Sequence, residues 1–160
     1  DYEPYAKERD AEVEILLREK SISFHSYKDQ VIFEKDEVLK DDGKPYTIFT
    51  PYSKKWKIKL TDFFLECYNN KKYFKNFYKQ AEREIISLEV MGFKSSGQSF
   101  QDKEWKGQVI RHYKDHRDIP SVEGTSRLSV HLRFGTISIR SLAAEAGALN
   151  EIFLNELIFS

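Results

Sequence analysis

The chain has 160 residues and balances 26 Lys and Arg against 26 Asp and Glu, so its formal net charge is zero. This balance argues against a protein that binds nucleic acid through bulk charge alone, although a local basic groove remains compatible with it. Cys67 is the single cysteine and cannot form an intrachain disulfide, and no apolar run approaches the ~20 residues of a membrane-spanning helix. We therefore expect a cytoplasmic protein without membrane contact.

The first 50 residues alternate between a helical pattern and short strand patterns. A helix is predicted over residues 5–20, with Pro4 at its start and four apolar residues on one face: Ala6, Val13, Leu16 and Leu17. Short runs rich in β-branched and aromatic residues follow, and they predict strands at Ser21–Tyr27 and Gln30–Phe33 and a third apolar run at Tyr46–Thr50. This alternation is typical of α/β architecture.

The pattern becomes helical after Thr50, which suits an N-cap, with Pro51 at the first helical position. Apolar residues follow at helical spacing and predict a buried face: Trp56, Leu60, Phe63, Phe64 and Cys67. Residues 69–104 show no sustained period, and we predict a linker with one short helix around Phe77–Leu88. Further helices are predicted near 104–116, 126–133, 137–146 and 149–159, with Gly135 and Gly147 as helix stops.

A hydroxyl-rich segment, Gly124 to Ser129, is predicted to open a helix. The first amides of a helix lack intrahelical partners and lie at the positive end of its dipole, and phosphate oxygens can satisfy both. Gly124 would allow the backbone to approach such an anion closely. The alternative is ordinary N-capping by Thr125 or Ser126 with a solvated Arg127, and the spacing alone does not identify a ligand.

Longer strings surround this segment. Residues 117–129 read RDIPSVEGTSRLS and residues 132–140 read LRFGTISIR. Both resemble the start of the FAD site in the DNA photolyase/cryptochrome family, and Phe153–Ile158 resembles the helix that carries that family's lesion-facing glutamate. Further segments resemble the family in the same order along the chain: Tyr2–Tyr5, Phe49–Tyr52 with Trp56, and Ser87–Phe93.

The resemblance implies a domain organisation. Residues 1–50 would end a Rossmann-like α/β antenna domain, residues 51–104 would form an exit helix and linker, and residues 105–160 would begin an all-α FAD-binding domain. Because the chain starts at Asp1 rather than Met and stops at Ser160 within an apolar run, we expect an internal fragment that is inactive alone. Tyr5-Ala6 stand where folate-binding members often have Asn-Glu, which disfavours a folate antenna held in that manner and leaves the antenna chromophore open.

The resemblance also implies roles for single residues. FAD would be bound by Tyr113, Thr125, Ser126, Arg127, Leu128, Ser129 and Phe153. UV-damaged DNA would be contacted by Arg117, Asn155 and Glu156. Glu156 would be catalytic, and partial desolvation would favour its protonated, hydrogen-bond-donating form. The alternatives are core packing for Tyr113 and Phe153, an ion pair of Arg117 with Asp115 or Asp118, and a solvated helix-surface glutamate at position 156.

The implied function is light-driven repair of cyclobutane pyrimidine dimers by a deoxyribodipyrimidine photo-lyase that uses reduced FAD. One alternative is a cryptochrome, a blue-light flavoprotein without repair activity. Another is a helical interaction module that binds no flavin. His112 and His116 have the i, i+4 spacing of a zinc-binding pair, but no second pair accompanies them, and we expect no metal.

Overall fold

The computed structural model describes residues 3–28 and 31–159, and this part of the chain is helical. The helices before the linker are α1 (Pro4–Glu19), α2 (Phe49–Lys59) and α3 (Asp62–Leu65), followed by a 3-10 helix at Asn70–Asn76. The helices after it are α4 (Gly107–Arg111), α5 (Tyr113–His116), α6 (Ser129–Arg133), α7 (Ile139–Leu149) and α8 (Glu151–Phe159). Across the described ranges, no helix combines the length and apolarity that crossing a bilayer requires.

The predicted strands are absent from the described residues, and the strand prediction at Ser21–Tyr27 is wrong. Gln30, where the second strand was expected to begin, lies outside the described residues, and Phe33 is buried in a loop. The ring of Phe33 packs edge-to-face on that of Trp56, with centroids 5.2 Å apart. Strand-forming residues make strands only where neighbouring strands satisfy their backbone groups; here Phe33 packs on α2 instead, and Ile22 and Tyr27 are exposed.

Helix α2 begins earlier in the chain than its sequence predicts. Its N-cap is Ile48 rather than Thr50, and the Thr50 carbonyl accepts a hydrogen bond from Ser53 Oγ at 3.1 Å. Phe49, in the first turn of α2, packs edge-to-face on Phe159 of α8 with ring centroids 5.8 Å apart. This aromatic contact with a distant helix outweighs the local capping preference of Thr50.

One hydrophobic cluster joins the segments on both sides of the linker. Its largest fully buried side chains are Ile110, Leu128 and Leu142. α7 and α8 add Ala143, Ala146, Phe153, Leu154 and Ile158, and the earlier part of the chain adds Ile32, Phe33, Val38 and Trp56. An ion pair between Lys57 Nζ and Glu151 Oε1, 2.5 Å apart, links α2 to α8 at the surface.

The linker is more irregular than predicted. Every residue from 66 to 104 is exposed, and the predicted helix at Phe77–Leu88 is wrong, because residues 77–87 form no helix. The apolar residues Phe77 and Ile85 of this segment are exposed. The core position predicted for Cys67 is also wrong: α3 ends at Leu65, and the exposed Cys67 Sγ lies 3.0 Å from Ser141 Oγ.

The glycine signals gave one correct and one wrong helix end. Gly135 has φ +61° directly after α6 and ends that helix as predicted. Gly147 lies inside α7, which continues to Leu149 because its buried face is packed. The stop comes at Asn150, whose Oδ1 accepts from the amides of Ile152 at 3.0 Å and Phe153 at 3.2 Å and so caps α8.

Candidate functional site

The hydroxyl-rich turn, residues 124–129, is a surface loop that leads into α6. The helix begins only at Ser129, with Leu128 at its N-cap, so Thr125 and Ser126 are loop residues and do not cap it. The Leu128 side chain is buried in the core, while Thr125 and Ser129 are exposed and Ser126 is half-buried. The buried leucine therefore anchors a turn whose hydroxyl groups face the surface.

Gly124 is buried where this turn crosses the backbone of α5. A Cβ at this position would lie 2.4 Å from the carbonyl oxygen of His116, which is far inside van der Waals contact. The Gly124 amide donates to the Val122 carbonyl at 2.8 Å. The close backbone approach that the sequence suggested for an anion is thus made to α5, and it fixes the turn against that helix.

The turn retains hydrogen-bond donors for a ligand. Within the hydrogen bonds of the described residues, no acceptor is found for the amides of Thr125, Arg127 and Ser129 or for the three hydroxyl groups of the turn. A cavity of about 40 Å³ beside the turn is also lined by Gln101, Lys106 and the acidic residue Glu123. α6 has only five residues, so its dipole is small. A phosphate group would therefore be bound by the unpaired amides and by Lys106.

Arg127 gives the turn its shape. Its φ is +51°, in the left-handed region that non-glycine residues seldom adopt, at a cost of about 1–2 kcal/mol. Its guanidinium lies 3.9 Å from the exposed carboxylate of Glu123, too far for a close ion pair to stabilise the turn. Backbone strain of this kind persists only where surrounding contacts impose it, and such positions cluster at ligand sites.

A second group of predicted site residues meets where α5 packs on α8. The rings of Tyr113 and Phe153 are edge-to-face, with centroids 5.0 Å apart and an interplanar angle of 85°. The Arg117 guanidinium carbon lies 5.6 Å from the Tyr113 ring centroid, and its Nη1 donates to Glu156 Oε1. The hydrogen bond to Glu156, followed by that to Tyr113, raises the pKa of Arg117. The structure thus brings four predicted residues together.

The surroundings of these residues differ in part from the sequence expectation. Phe153 is buried and Tyr113 half-buried, so each also serves the core. The Glu156 side chain is 47% exposed and pairs with Arg117, so the desolvated environment expected from the sequence is not found. Arg117 also approaches Asp118, with 3.6 Å between Nε and Oδ2. Asn155 Oδ1 is buried and has no hydrogen-bond partner within the described part of the chain.

Comparison with known proteins decides the family. The sequence profile of the DNA photolyase family matches residues 1–72. The deoxyribodipyrimidine photo-lyase of Alkalihalophilus pseudofirmus is 33% identical over 93% of this chain and 35% of its own length. The deoxyribodipyrimidine photo-lyase of Escherichia coli is 29% identical over 99% of this chain and 37% of its own length. The chain belongs to the DNA photolyase/cryptochrome family.

The relatives of this chain include a cryptochrome as well as photo-lyases. Cryptochrome-2 of Arabidopsis thaliana is 30% identical over 87% of the chain and 26% of its own length. The chain therefore spans between 26% and 37% of the length of these three relatives. The profile match ends at residue 72, so the candidate site rests on the pairwise matches, which cover nearly the whole chain.

Two contributors to the turn at 124–129 were missed at the level of sequence. Gln101 donates from Nε2 to the Ser126 carbonyl at 3.4 Å, and Lys106 lines the same cavity. Both precede α4 in an irregular segment, so no periodic pattern marked them. Their signal was weak: a polar residue and a lysine near the end of a linker without other motifs.

The histidine pair of this photolyase-family chain forms a stack rather than a recognisable metal centre. The rings of His112 and His116 have centroids 5.4 Å apart and an interplanar angle of 22°. Among residues 3–28 and 31–159, no group of three or more His, Cys, Asp or Glu is arranged to hold a metal ion.

Proposed function

We propose that the full-length protein is a deoxyribodipyrimidine photo-lyase that uses light and FAD to repair cyclobutane pyrimidine dimers in UV-damaged DNA. The observation that carries the proposal is the match of 93% and 99% of the chain to two proteins of that name. The convergence of Arg117, Tyr113, Phe153 and Glu156 between α5 and α8 supports it. Because the chain spans about a third of these relatives, the activity is assigned to the full-length protein, and residues 1–160 alone are proposed to be inactive.

The turn at 124–129 would hold the phosphates of FAD. Its unpaired amides and the hydroxyls of Thr125, Ser126 and Ser129 donate hydrogen bonds, while the backbone of Leu128 is held in place by its buried side chain. Arg127 would lie beside the phosphates, and Tyr113 and Phe153 would flank the flavin. When bound and reduced, FAD supplies the light-excited electron that splits the cyclobutane ring and is then returned.

The Arg117–Glu156 pair would receive the lesion. A guanidinium binds phosphate through two parallel hydrogen bonds, so Arg117 suits the DNA backbone beside a flipped dimer. The Glu156 carboxyl would bond to the dimer itself, and Asn155 would join it once its buried, unpaired Oδ1 turns toward the DNA. Lesion binding must then open the Arg117–Glu156 contact. Since both side chains are partly exposed, that ion pair is weak and its exchange costs little.

The proposal is tested with a dimer-containing oligonucleotide and the full-length protein under blue light. Glu156→Gln removes the carboxyl but keeps its shape, so the repair yield per photon should fall several-fold while FAD content is unchanged. Glu151→Gln is the matched control, because Glu151 is an exposed glutamate on the same helix and pairs with Lys57. Full repair by Glu156→Gln would remove the catalytic role of this residue, and no repair by the wild type would overturn the photo-lyase assignment.

A cryptochrome is the second candidate, and the similarity to Arabidopsis cryptochrome-2 favours it. It would share the fold and the FAD site but lack repair activity. A full-length protein that retains FAD and leaves the dimer intact under blue light would select this candidate.

We also propose the domain division 1–50, 51–104 and 105–160 for this chain, with the first segment belonging to the α/β antenna domain. The profile match over residues 1–72 supports the assignment of the first segment to this family. A cytoplasmic location is proposed from the single cysteine.

A further inference from the structure

Gln101, in the linker, contacts the hydroxyl-rich turn with its side chain and α6 with its backbone carbonyl. Its side-chain amide donates to the Ser126 carbonyl at 3.4 Å, and its own carbonyl lies 2.7 Å from His131 Nε2. The linker residues before it are exposed from position 66 onward. Gln101 is therefore a point at which an otherwise exposed segment is tied to the turn and to α6.

The hydrogen bonds of His131 define its proton arrangement. A backbone carbonyl can only accept, so Nε2 carries the hydrogen that is donated to Gln101. The other ring nitrogen, Nδ1, lies 2.8 Å from Thr136 Oγ1, in the loop that follows α6. His131 thus connects the linker, α6 and the next loop.

The bond from Gln101 acts on the strained part of the turn. Ser126 directly precedes Arg127, whose φ is +51°. The peptide between them is planar and trans, so its carbonyl and its N–H point in opposite directions. Holding the Ser126 carbonyl toward Gln101 therefore fixes the direction of the Arg127 amide, one of the unpaired donors of the turn. Left-handed residues need such external support.

We propose that Gln101 and His131 are positioning residues for the turn at 124–129. Together they form a linker clamp that holds the Ser126–Arg127 peptide in the orientation that binds phosphate. The proposal rests on the proposed function, because the phosphate in question is the diphosphate of FAD. The linker clamp makes FAD affinity depend on a linker segment that carries no flavin motif, and it brings Lys106 to the wall of the same cavity.

The test uses the full-length apoprotein and FAD titration. Gln101→Met keeps the side-chain length and the backbone carbonyl but removes the donor, so the Kd for FAD should rise about fivefold, the value of one ordinary hydrogen bond. His131→Ala should have a similar effect, and His131→Gln, which retains a donor, should restore binding to within about twofold. Gln98→Ala, an exposed glutamine in the same linker, is the control and should bind like the wild type.

A second measurement separates positioning from general stability. In Gln101→Met apoprotein, hydrogen exchange should accelerate at the amides of residues 125–129 while the Tm stays equal to that of Gln98→Ala. FAD binding by Gln101→Met and His131→Ala that equals a tightly binding wild type would overturn the linker clamp alone. A global fall in Tm without rescue by His131→Gln would also overturn it. A wild type that binds no FAD would overturn both the linker clamp and the proposed function.

Discussion

At the scale of single residues, Gly124 is fixed by the backbone it crosses. Because an added Cβ would lie 2.4 Å from the His116 carbonyl oxygen, Gly124→Ala must displace either the turn or α5. We expect the free energy of unfolding to fall by about 1–3 kcal/mol, the usual cost of overpacking, and FAD affinity to fall with it. Urea unfolding and FAD titration would measure these losses.

Gly147→Ala is the matched control for this substitution. Gly147 lies within α7, and an added Cβ would meet only Leu154 Cδ2, at 3.9 Å. Alanine is the better helix former, so stability should rise by up to about 1 kcal/mol. If both alanine variants shifted stability in the same direction, the contact between the turn and α5 would not be what requires Gly124.

Glu37 contacts Lys28, and the strength of this contact depends on the charge of the Glu37 carboxyl. Burial raises its pKa, but the hydrogen bonds from Lys28 Nζ at 2.5 Å and from the Glu34 amide at 2.6 Å, with the charges of Lys28 and Lys59, outweigh burial. The pKa of Glu37 is therefore lowered from its ordinary 4.5. A carboxyl with a depressed folded pKa stabilises the fold above its unfolded pKa, and this stabilisation is lost as pH falls through the folded pKa.

The corresponding prediction concerns Glu37→Gln. Its stability deficit relative to the wild type should be full above pH 4.5 and should shrink as the pH falls below that value. Urea unfolding at several pH values between 7 and about 3 measures the deficit. The pH dependence should also diminish in a Lys28→Met background, because Lys28 supplies the main compensating bond. A deficit that stays constant with pH would contradict the ionised pairing.

The residues of the candidate site were predicted from the resemblance to the family, and their arrangement was not predicted. The string around Thr125 and the spacing to Tyr113 follow from the resemblance to the family. Arg117 and Glu156 are in contact but lie 39 positions apart in the sequence, so no local pattern predicts their contact. Gln101 was missed for the same reason: its role depends on a long-range hydrogen bond from an aperiodic segment.

Among the secondary-structure elements, the packing of α7 on α8 stabilises the helices after the linker. Leu142 is fully buried in the central hydrophobic cluster. Leu142→Ala should lower the free energy of unfolding by about 2–5 kcal/mol, through lost transfer energy and the cavity left behind. Leu88→Ala is the control, because Leu88 is 61% exposed in the linker and should change stability by less than about 0.5 kcal/mol. Equal effects in urea unfolding would contradict this assignment of the core.

Helices with a clear period were predictable, and segments that depend on partners were not. α1, α7 and α8 follow from apolar spacing, with ends displaced by a few residues. Ser21–Tyr27 has the amino-acid composition typical of a strand, and Phe77–Leu88 was predicted to be a helix. In the described structure neither segment forms a strand or a helix. Their composition indicates a preference for burial, and burial requires other elements to pack against them.

At the scale of the whole molecule, the linker separates two segments in sequence that meet in space. Trp56 on one side and Leu142 on the other belong to the same hydrophobic cluster, and the ring of Phe49 packs on that of Phe159. The segment between them is exposed from residue 66 to residue 104. The continuity of the chain through the linker is therefore not what holds the two sides together.

Limited proteolysis tests this arrangement directly. Chymotrypsin should cut first at the exposed aromatic residues of the linker, Phe77, Tyr78, Phe93 and Phe100, because exposed, weakly bonded backbone enters a protease most easily. The two pieces should still co-elute in size-exclusion chromatography in native buffer and should separate in urea, since the shared core rather than the peptide bond joins them. First cuts within α7 or α8, or pieces that part in native buffer, would show that the segments before and after the linker do not share one core.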